Sequence, residues 1–395
     1  MSQFFQIHPD NPQVRLIKQA VEIIDQGGVV AYPTDSAYAI GCHLGDKKVD
    51  TLHKWGMGPY LDGLFTQGNL GIVTEMSIAL APTPASVKAF FFSVKKADDL
   101  EETINRIQKI LKELGGIVGS INVMNKHRVL SMTEPYPSDQ LVDGLISNEA
   151  IEKMARRRQV FPWTCVGALY GNKAVVNAAQ KEIKKILARK AIRLLFFTPS
   201  FVSSINNVTQ RLPAVIKSGM IGETVMTLHK TMQLFAGRPS EIALPLVYWL
   251  TGNQPAEGIP MHPANDNCGL IWYSPLVPME PKKVTEFTEM VRTICIKHQI
   301  EPLITLTSFS DRCFDSTIPI LFNKQDEDAV KRAKACYEEL FETGKPLGFL
   351  PYRLSIHSMG KLNKYDAAPE LLKRIKKALD PNNILAPGRY LPDNE

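Results

Sequence analysis

Apolar residues along the chain alternate between strand-like runs and stretches with helical spacing. The stretch "DDLEETINRIQKILKEL" places its apolar residues three or four positions apart, at Leu100, Ile104, Ile107, Leu111 and Leu114. This spacing predicts an amphipathic helix, which the glycine pair at 115–116 ends. The run "KAFFFSVK" before it and "GSINVM" after it predict strands, so residues 88–124 predict a strand–helix–strand unit.

The same order recurs three more times between residues 164 and 355. The predicted helices are "KAVVNAAQKEIKKILARK", "KKVTEFTEMVRTICIKHQ" and "DEDAVKRAKACYEELFETG". The flanking predicted strands are "TCVGALYG", "IRLLFF", "CGLIWYS", "PLITLT", "STIPILFN" and "LGFLPYRLS". Because helices alternate with strands, residues 86–355 predict an α+β layer, a broad sheet with helices on one face. Residues 198–267 contain Pro- and Gly-bearing segments and predict an irregular region.

Near the two ends of the chain, the sequence predicts short segments of helix and strand. "QVRLIKQAVEIID" has helical apolar spacing, and "VVAYPTDS" predicts a buried strand that runs into a turn. A fragment of about fifty residues is too short for a core of its own without a disulfide or a metal. A junction is predicted at Leu52–Trp55, which carries no linker-like Gly, Ser or Pro run. At the other end, "APELLKRIKKALDPNNILAPGRY" predicts a helix that stops at Asp380 and Pro381.

Composition fits a cytoplasmic globular protein of two or three domains. The 395 residues are 44% hydrophobic and 22% charged, and a net charge of +6 comes from scattered Lys and Arg. The densest basic stretch, Met154–Gln159, predicts a solvated face rather than a nucleic-acid site. The six cysteines have no ligand spacing, so neither a metal site nor a disulfide framework is predicted. We expect no signal peptide and no membrane span.

An ordered set of motifs carries a family resemblance over residues 55–392. The motifs are "GPYLDGLFTQGNLGIVTEMSIALAPTP", "YSP" at 273–275, "RAKACYEEL", "PYRLSIH" and "DPNNILAPGR". In this order they resemble the flavoprotein family of vanillyl-alcohol oxidase and 4-cresol dehydrogenase (hydroxylating). The resemblance implies the end of an FAD-binding domain at 55–85, an FAD-linked oxidase C-terminal (cap) domain at 86–355, and a C-terminal segment at 356–395 that returns to the FAD domain.

The resemblance also implies residues that bind FAD. Glycines 68 and 71 let a backbone without Cβ atoms approach a flat ligand, and in the family this segment lies along FAD. The motif "NNILAPGR" ends in a permanent cation, which in the family stabilises the negative charge of a reduced flavin ring. The implied cofactor-binding residues are Gln67, Gly68, Gly71, Ile72, Val73, Asn383 and Arg389.

The flavin is expected to be noncovalent. Some relatives in the family attach FAD through a tyrosine and others through a histidine. Alignment places Val247 at the first position and Leu270 at the second, and an apolar side chain forms neither bond. At the position where some relatives carry an acidic residue near the tyrosine, this sequence has Ala243.

The resemblance implies Tyr352, Arg353 and Arg389 as catalytic residues. In the family, the tyrosine and arginine of "PYRLSIH" contact the phenolic oxygen of the substrate, where a positive charge favours the phenolate and a hydroxyl adds a hydrogen bond. Neighbouring strand residues point to opposite faces, so both reach one site only at a strand end or a bulge. The implied function is oxidation of the benzylic carbon of para-substituted phenols by hydride transfer to FAD. Oxygen or a cytochrome partner would accept the electrons, and relatives commonly form homodimers.

Two alternatives stay open. "GGVVAYPTDSAYAIGCHLGDKK" resembles the start of the YrdC-like threonylcarbamoyl-adenylate synthase family, which uses the positions of Tyr32–Ser36, Tyr38 and Gly41 to line a nucleotide pocket. Residues 1–54 are therefore a YrdC-like N-terminal fragment, and a nucleotide- or RNA-binding module is the first alternative. This fragment stands where the flavoprotein family carries most of the domain that binds the FAD pyrophosphate. A non-catalytic product of fusion and truncation is therefore the second alternative.

Overall fold

The computed structural model describes most of the chain in two compact units. The described residues are 13–26, 29–33, 38–42, 61–76, 78, 80–188, 192–212, 219–238, 240–256, 258–355, 357–361 and 368–391. We call Thr83–Arg353 the sheet unit, and the combination of Met1–Pro82 with Leu354–Glu395 the terminal unit. The predicted junction at Leu52–Trp55 lies outside the described residues.

The terminal unit begins with a helix and a hairpin. Helix α1 spans Val14–Asp25, and strands β1 (Val29–Pro33) and β2 (Tyr38–Cys42) pair antiparallel. The predicted helix and the first strand are confirmed, whereas β2 is a strand that the sequence patterns did not predict. Residues 34–37 of the nucleotide-pocket motif lie outside the described residues.

The sheet unit contains the remaining strands and most of the helices of the described residues. Its strands are β3 (Ser86–Val94), β4 (Val118–Asn125), β5 (Leu141–Val142), β6 (Leu145–Ile146), β7 (Trp163–Gly171), β8 (Ile192–Phe197), β9 (Cys268–Tyr273), β10 (Leu276–Pro278), β11 (Thr305–Ser308) and β12 (Cys313–Asn323). Its helices are α2 (Leu100–Glu113), α3 (Lys126–Thr133), α4 (Asn148–Arg158), α5 (Lys173–Leu187), α6 (Pro199–Gln210), α7 (Met220–Phe235), α8 (Pro281–Lys297) and α9 (Glu327–Gly344).

The main sheet is antiparallel at each described pairing. Its strand order is β10–β12–β11–β4–β7–β3–β8, and β9 pairs with β12. Helices α2, α5, α8 and α9 bury their apolar faces against one side of this sheet in a single core. The predicted α+β class, a broad and mostly antiparallel sheet with a main layer of helices on one face, is thus confirmed, and two further helices pack on the other face at β3.

A second, smaller helix layer lies on the other side of the sheet at β3. Because strand residues alternate between faces, Phe90 and Phe92 enter the main core while Ala89 packs with Val202 of α6 and Met232 of α7. The sheet is therefore covered on both sides at its β3 end.

The prediction that residues 198–267 are irregular is wrong for their first half, which forms α6 and α7. The side chain of Thr198 accepts a hydrogen bond from the N–H of Phe201 and so caps α6, and Pro199 occupies the first turn. The many polar residues of "PSFVSSINNVTQ" hide the helical spacing, which explains why the pattern did not predict a helix.

The prediction of a strand in "LGFLPYRLS" is also wrong. Residues 347–355 form only an isolated bridge between Pro351 and Pro275. Gly348 has a φ of +86°, which turns the chain out of extended geometry, and a proline donates no hydrogen bond to a neighbouring strand. The segment therefore bends along the end of the sheet instead of extending it.

Candidate functional site

In the terminal unit, the first predicted flavin-binding segment is an open stretch of chain after a short 3₁₀ turn, Asp62–Phe65. Gly68 has a φ of +69°, in the left-handed region that favours glycine. A Cβ on Gly71 would lie 3.1 Å from the ring of Phe65, so this glycine makes room for that ring. Each glycine therefore has a local structural reason in addition to its predicted role beside a cofactor.

The residues that follow present backbone to their surroundings. Ile72 is 79% exposed and Val73 is 44% exposed, while Gln67 is half-buried. Within the described part of the chain, the backbones of Gly71, Ile72 and Val73 form no hydrogen bond with other backbone groups. This open backbone suits the predicted role of Gly71, Ile72 and Val73 beside a cofactor, and that role stays a prediction.

Helix α10 (Ala368–Leu379) carries a buried cation in its last turn. The Nζ of Lys376 donates to the carbonyl oxygens of Asn69 at 2.6 Å and Leu385 at 2.5 Å, and pairs with Oδ2 of Asp380 at 2.6 Å. These bonds tie the segment around Asn69 to the C-terminal loop. We missed Lys376 and Asp380 in the sequence, where a lysine four positions before an aspartate at a helix end was the available signal.

The carboxylate of Asp380 organises the loop after α10. Its two oxygens accept hydrogen bonds from the backbone N–H groups of Ile384 at 3.0 Å and Leu385 at 2.7 Å. The hydrogen bond from Lys376, followed by these backbone bonds, lowers the pKa of Asp380 from 3.8 to about 2. The loop therefore depends on the ionised form of this carboxylate.

We expect acid to loosen this loop over a defined range of pH. Because the pKa of Asp380 is lowered in the folded chain, its stabilising effect is complete above the ordinary value of 3.8 and is lost as pH falls towards about 2. Hydrogen exchange of the amides of Ile384 and Leu385 measures this effect. Asp380→Asn should exchange these amides faster at pH 7 and lose the acid-dependent step. An acid profile unchanged in that variant would contradict the assignment.

A pocket of about 250 Å³ lies beside this network in the terminal unit. Its polar lining includes Asn69, Lys373, Lys376, Lys377, Asn383 and Arg389. The side-chain amide of Asn69 donates to the carbonyl oxygen of Arg389 at 3.0 Å, and the buried Nε of Arg389 has no hydrogen-bond partner among the described residues. Basic groups and an unpaired donor fit an anionic or hydrogen-bond-accepting group. Ligand pockets commonly measure about 300–1,000 Å³, so the pocket fits part of FAD rather than the whole molecule.

The positions expected to exclude a covalent flavin lie in the sheet unit. Val247 is buried in the 3₁₀ turn Leu244–Tyr248, whereas Leu270 on β9 is partly exposed. The hydroxyl of Tyr248 is committed to Oδ2 of Asp266 at 2.6 Å. A noncovalent flavin stays a prediction.

Tyr352 and Arg353 lie at a bend at the end of the sheet unit. The N–H of Tyr352 donates to the carbonyl oxygen of Ser274 at 3.4 Å, next to the bridge between Pro275 and Pro351. The Tyr352 ring is 49% exposed, and the guanidinium carbon of Arg353 lies 6.0 Å from its centre. Because the chain bends here, the structure brings the two side chains together, which a regular strand would not do.

Opposing charges surround the Tyr352 hydroxyl. Burial raises its pKa, the carboxylate of Asp315 raises it further, and the cation of Arg353 lowers it. Asp315 on β12 is a residue that we missed in the sequence. The available signal was one charged residue in the otherwise uncharged strand "CFDSTIPILFN".

The C-terminal part of the chain is similar to a known protein family. Residues 277–390 match the family model "FAD linked oxidases, C-terminal domain". These residues are thus similar to the C-terminal domain of the FAD-linked oxidases. The matched residues include Tyr352, Arg353, Asp380 and Arg389, so both groups of residues described above fall within the region of similarity.

Curated relatives extend the similarity towards the N-terminus. The chain is 32% identical to 1'-carboxy-chondrochloren decarboxylase of Chondromyces crocatus over 347 residues, which are 86% of this chain and 62% of the relative. It is 24% identical to the 4-cresol dehydrogenase [hydroxylating] flavoprotein subunit of Pseudomonas putida over 349 residues, 86% of this chain and 58% of the relative. The chain thus spans less than two thirds of the length of these relatives.

Solved structures share the fold. The structure of p-cresol methylhydroxylase with substrate bound has a TM-score of 0.70 at 20% identity, and covers 93% of this chain and 65% of its own. The 4-ethylphenol oxidase from Gulosibacter chungangensis has a TM-score of 0.71 at 19% identity, and covers 92% of this chain and 66% of its own.

The N-terminal segment is similar to a different protein. Over 47 residues it is 72% identical to the uncharacterized protein YciO of Escherichia coli (strain K12), which is 12% of this chain and 23% of YciO. The YrdC-like character of this segment is thus supported separately from the FAD-linked oxidase domain.

Two classes of feature are not found in the part of the chain that the structure describes. None of its helices has the length and apolar character needed to cross a membrane. No group of three or more His, Cys, Asp or Glu side chains is arranged to hold a metal ion there.

Proposed function

We propose that this chain is an FAD-dependent oxidoreductase that acts on the benzylic carbon of para-substituted phenols. The observation that carries the proposal is the bend that places the guanidinium of Arg353 beside the half-exposed ring of Tyr352. A fixed cation and a hydroxyl at one point suit a phenolic oxygen, because the cation stabilises negative charge and the hydroxyl donates a hydrogen bond. The 4-cresol dehydrogenase subunit and the solved p-cresol methylhydroxylase and 4-ethylphenol oxidase support a phenolic substrate.

The terminal unit supplies the groups that would hold the flavin. The open backbone of Gly71–Val73 offers hydrogen bonds, and the basic pocket at Asn383 and Arg389 suits an electron-rich part of the cofactor. When bound, FAD accepts a hydride from the benzylic carbon of the substrate. With Val247 and Leu270 in place of attachment residues, the cofactor is held without a covalent bond.

Arg353 and Tyr352 have different roles at the proposed phenol site. Arg353 stabilises the negative charge of the phenolate, from which the hydride leaves more easily than from the neutral phenol, and Tyr352 orients the phenolic oxygen by a hydrogen bond. The resulting quinone methide takes up water at the benzylic carbon to give the alcohol. A cytochrome or oxygen as electron acceptor, a homodimeric state and a cytoplasmic location stay predictions.

A decarboxylation is the second candidate reaction. It is favoured by the 32% identity to 1'-carboxy-chondrochloren decarboxylase. In a phenol whose side chain carries a carboxylate one carbon beyond the benzylic position, hydride loss would give the same quinone methide. Cleavage of the bond to the carboxylate would then release CO₂, and its electron pair would form a side-chain double bond and restore the phenolate.

Flavin reconstitution tests the proposal. The purified chain is incubated with FAD, desalted and examined by absorption spectroscopy, and 4-methylphenol is then added in the absence of oxygen and of any added electron acceptor. We expect flavin bands that bleach on addition of the phenol, and we expect acid precipitation to leave the flavin in the supernatant because it is noncovalent. Protein that stays colourless after incubation would instead support the non-catalytic fusion product.

A further inference from the structure

The main sheet ends at strand β8, and the outer edge of this strand is open. In the part of the chain that the structure describes, β8 pairs with β3 alone, so its outward N–H and C=O groups have no strand partner. Another strand can add to such an edge through backbone hydrogen bonds. Leu195, in the middle of β8, is 47% exposed. The edge therefore offers backbone hydrogen bonds and apolar surface together.

Helix α6 has a second apolar row in addition to its buried one. Val202 and Thr209 form part of its buried side. Phe201, Ile205 and Val208 follow one another at intervals of four and three residues, so they share a different side of the helix. Phe201 is 53% exposed and Val208 is 60% exposed. A surface helix usually presents polar residues to solvent, so this exposed apolar row needs an explanation.

A ring contact joins this row to the open edge. The ring of Phe201 stacks on that of Phe197 in β8, with centroids 6.4 Å apart and an interplanar angle of 21°. Leu195 lies two positions before Phe197 and therefore on the same face of the strand. We call the following residues the edge patch: Leu195, Phe201, Ile205 and Val208. The edge patch and the open edge of β8 are thus one continuous surface.

The charge of this surface indicates which partner it fits. Helix α6 contains no charged residue. The charged residue of β8 is Arg193, whose guanidinium donates to the side-chain oxygen of Gln159 and lies 5.5 Å from the ring centre of Phe161. A charged partner surface would lose hydration here without gaining ion pairs. The surface therefore fits an uncharged apolar partner that also has an open strand edge, and a second copy of this chain has both properties.

We infer that β8 and the edge patch form the interface between two copies of this chain. A two-fold axis perpendicular to the sheet pairs β8 antiparallel with β8 of the second copy. Both α6 helices then lie on the same side of the joined sheet, where their apolar rows meet. The six residues of β8 and the twelve of α6 approach the 20–30 residues that each side of a stable interface contributes. The inference does not depend on the proposed function.

Sedimentation velocity of the full chain over a range of concentrations tests this inference. We expect the wild-type chain to be a dimer at micromolar concentration. Val208→Glu should raise the dissociation constant of the dimer by about 100-fold or more, because both copies bring the charge to the same interface. Leu195→Lys, which places a charge on the edge strand, should act in the same direction. Ile296→Glu is the matched control, because Ile296 is 44% exposed on α8, in the helix layer on the opposite face of the sheet.

Hydrogen exchange of β8 provides a second measurement that needs no variant. The amides of Ile192–Phe197 that do not bond to β3 should exchange more slowly above the dissociation constant than below it, because strand pairing protects them.

Three results would overturn the inference. The first is a wild-type chain that stays monomeric at every concentration. The second is a dimer that Val208→Glu leaves as intact as Ile296→Glu does, because the copies would then meet at another face. The third is a dimer whose β8 amides exchange at the same rate as those of the monomer.

Discussion

Lys376→Met is expected to destabilise the terminal unit strongly. The substitution removes three bonds from the ammonium group, to Asn69, Leu385 and Asp380, and leaves the carboxylate of Asp380 without its cation. Lys376 is only 8% exposed, so water does not replace these bonds. Breaking a buried ion pair by removing one partner costs on the order of 3–5 kcal/mol.

Hydrogen exchange and urea unfolding measure this effect. In Lys376→Met, the amides of residues 384–391 should exchange much faster than in the wild type, and the terminal unit should unfold at lower urea concentration. Lys377→Met is the matched control, because its side chain is exposed one position along the same helix. Equal behaviour of the two variants would show that the buried network contributes little.

Arg353→Met is expected to weaken the binding of 4-methylphenol by about 10–100-fold. Its guanidinium is the cation at the bend beside Tyr352, and a hydrogen bond to a charged group contributes roughly 1.5–3 kcal/mol, which corresponds to this range. Arg353→Lys should recover only part of the affinity, because an ammonium group keeps the charge but not the planar donor geometry.

Isothermal titration of the full chain with 4-methylphenol provides the measurement. Arg312→Met, an exposed arginine of the turn between β11 and β12, is the control and should bind as the wild type does. If Arg353→Met retains wild-type affinity, the phenol does not bind at this bend, and the proposed function loses the observation that carries it.

The sequence predicts the regular part of the fold well, because its elements have strong local signals. Helix α2 shows clear amphipathic spacing, and the strands β3 and β7 are rich in aromatic and other apolar residues, so each is recognisable by itself. The pairing of β4 with β11 is not recognisable in this way, since about 180 residues separate the two strands and no local pattern specifies a partner at that distance. Helix α6 was not predicted because its sequence is rich in polar residues. A strand was wrongly predicted at 347–355 because apolar residues are frequent there.

The residues of the candidate site also fall into two groups, those that the sequence predicts and those that only the folded structure reveals. Tyr352, Arg353 and Arg389 belong to motifs of the family resemblance and could be predicted from the sequence. Asp315, Lys376 and Asp380 are recognised only from their burial and hydrogen bonding in the folded chain. The carboxylate of Asp315 has a buried oxygen without a hydrogen-bond partner among the described residues, and Lys376 differs from its neighbour Lys377 by burial. Burial and hydrogen-bond satisfaction are properties of the folded chain, so composition and spacing do not reveal them.

The discontinuity of the terminal unit has a consequence for biosynthesis. The side chain of Asn69 bonds to the backbone of Arg389, 320 positions later in the chain, and the ammonium group of Lys376 bonds to the backbone of Asn69. During translation the first eighty residues therefore emerge from the ribosome long before the groups that complete their unit. The nascent segment around Asn69 therefore lacks these partners until residues 376–389 have been synthesised, and a message cut short before Lys376 yields a chain in which Asn69 never gains these bonds.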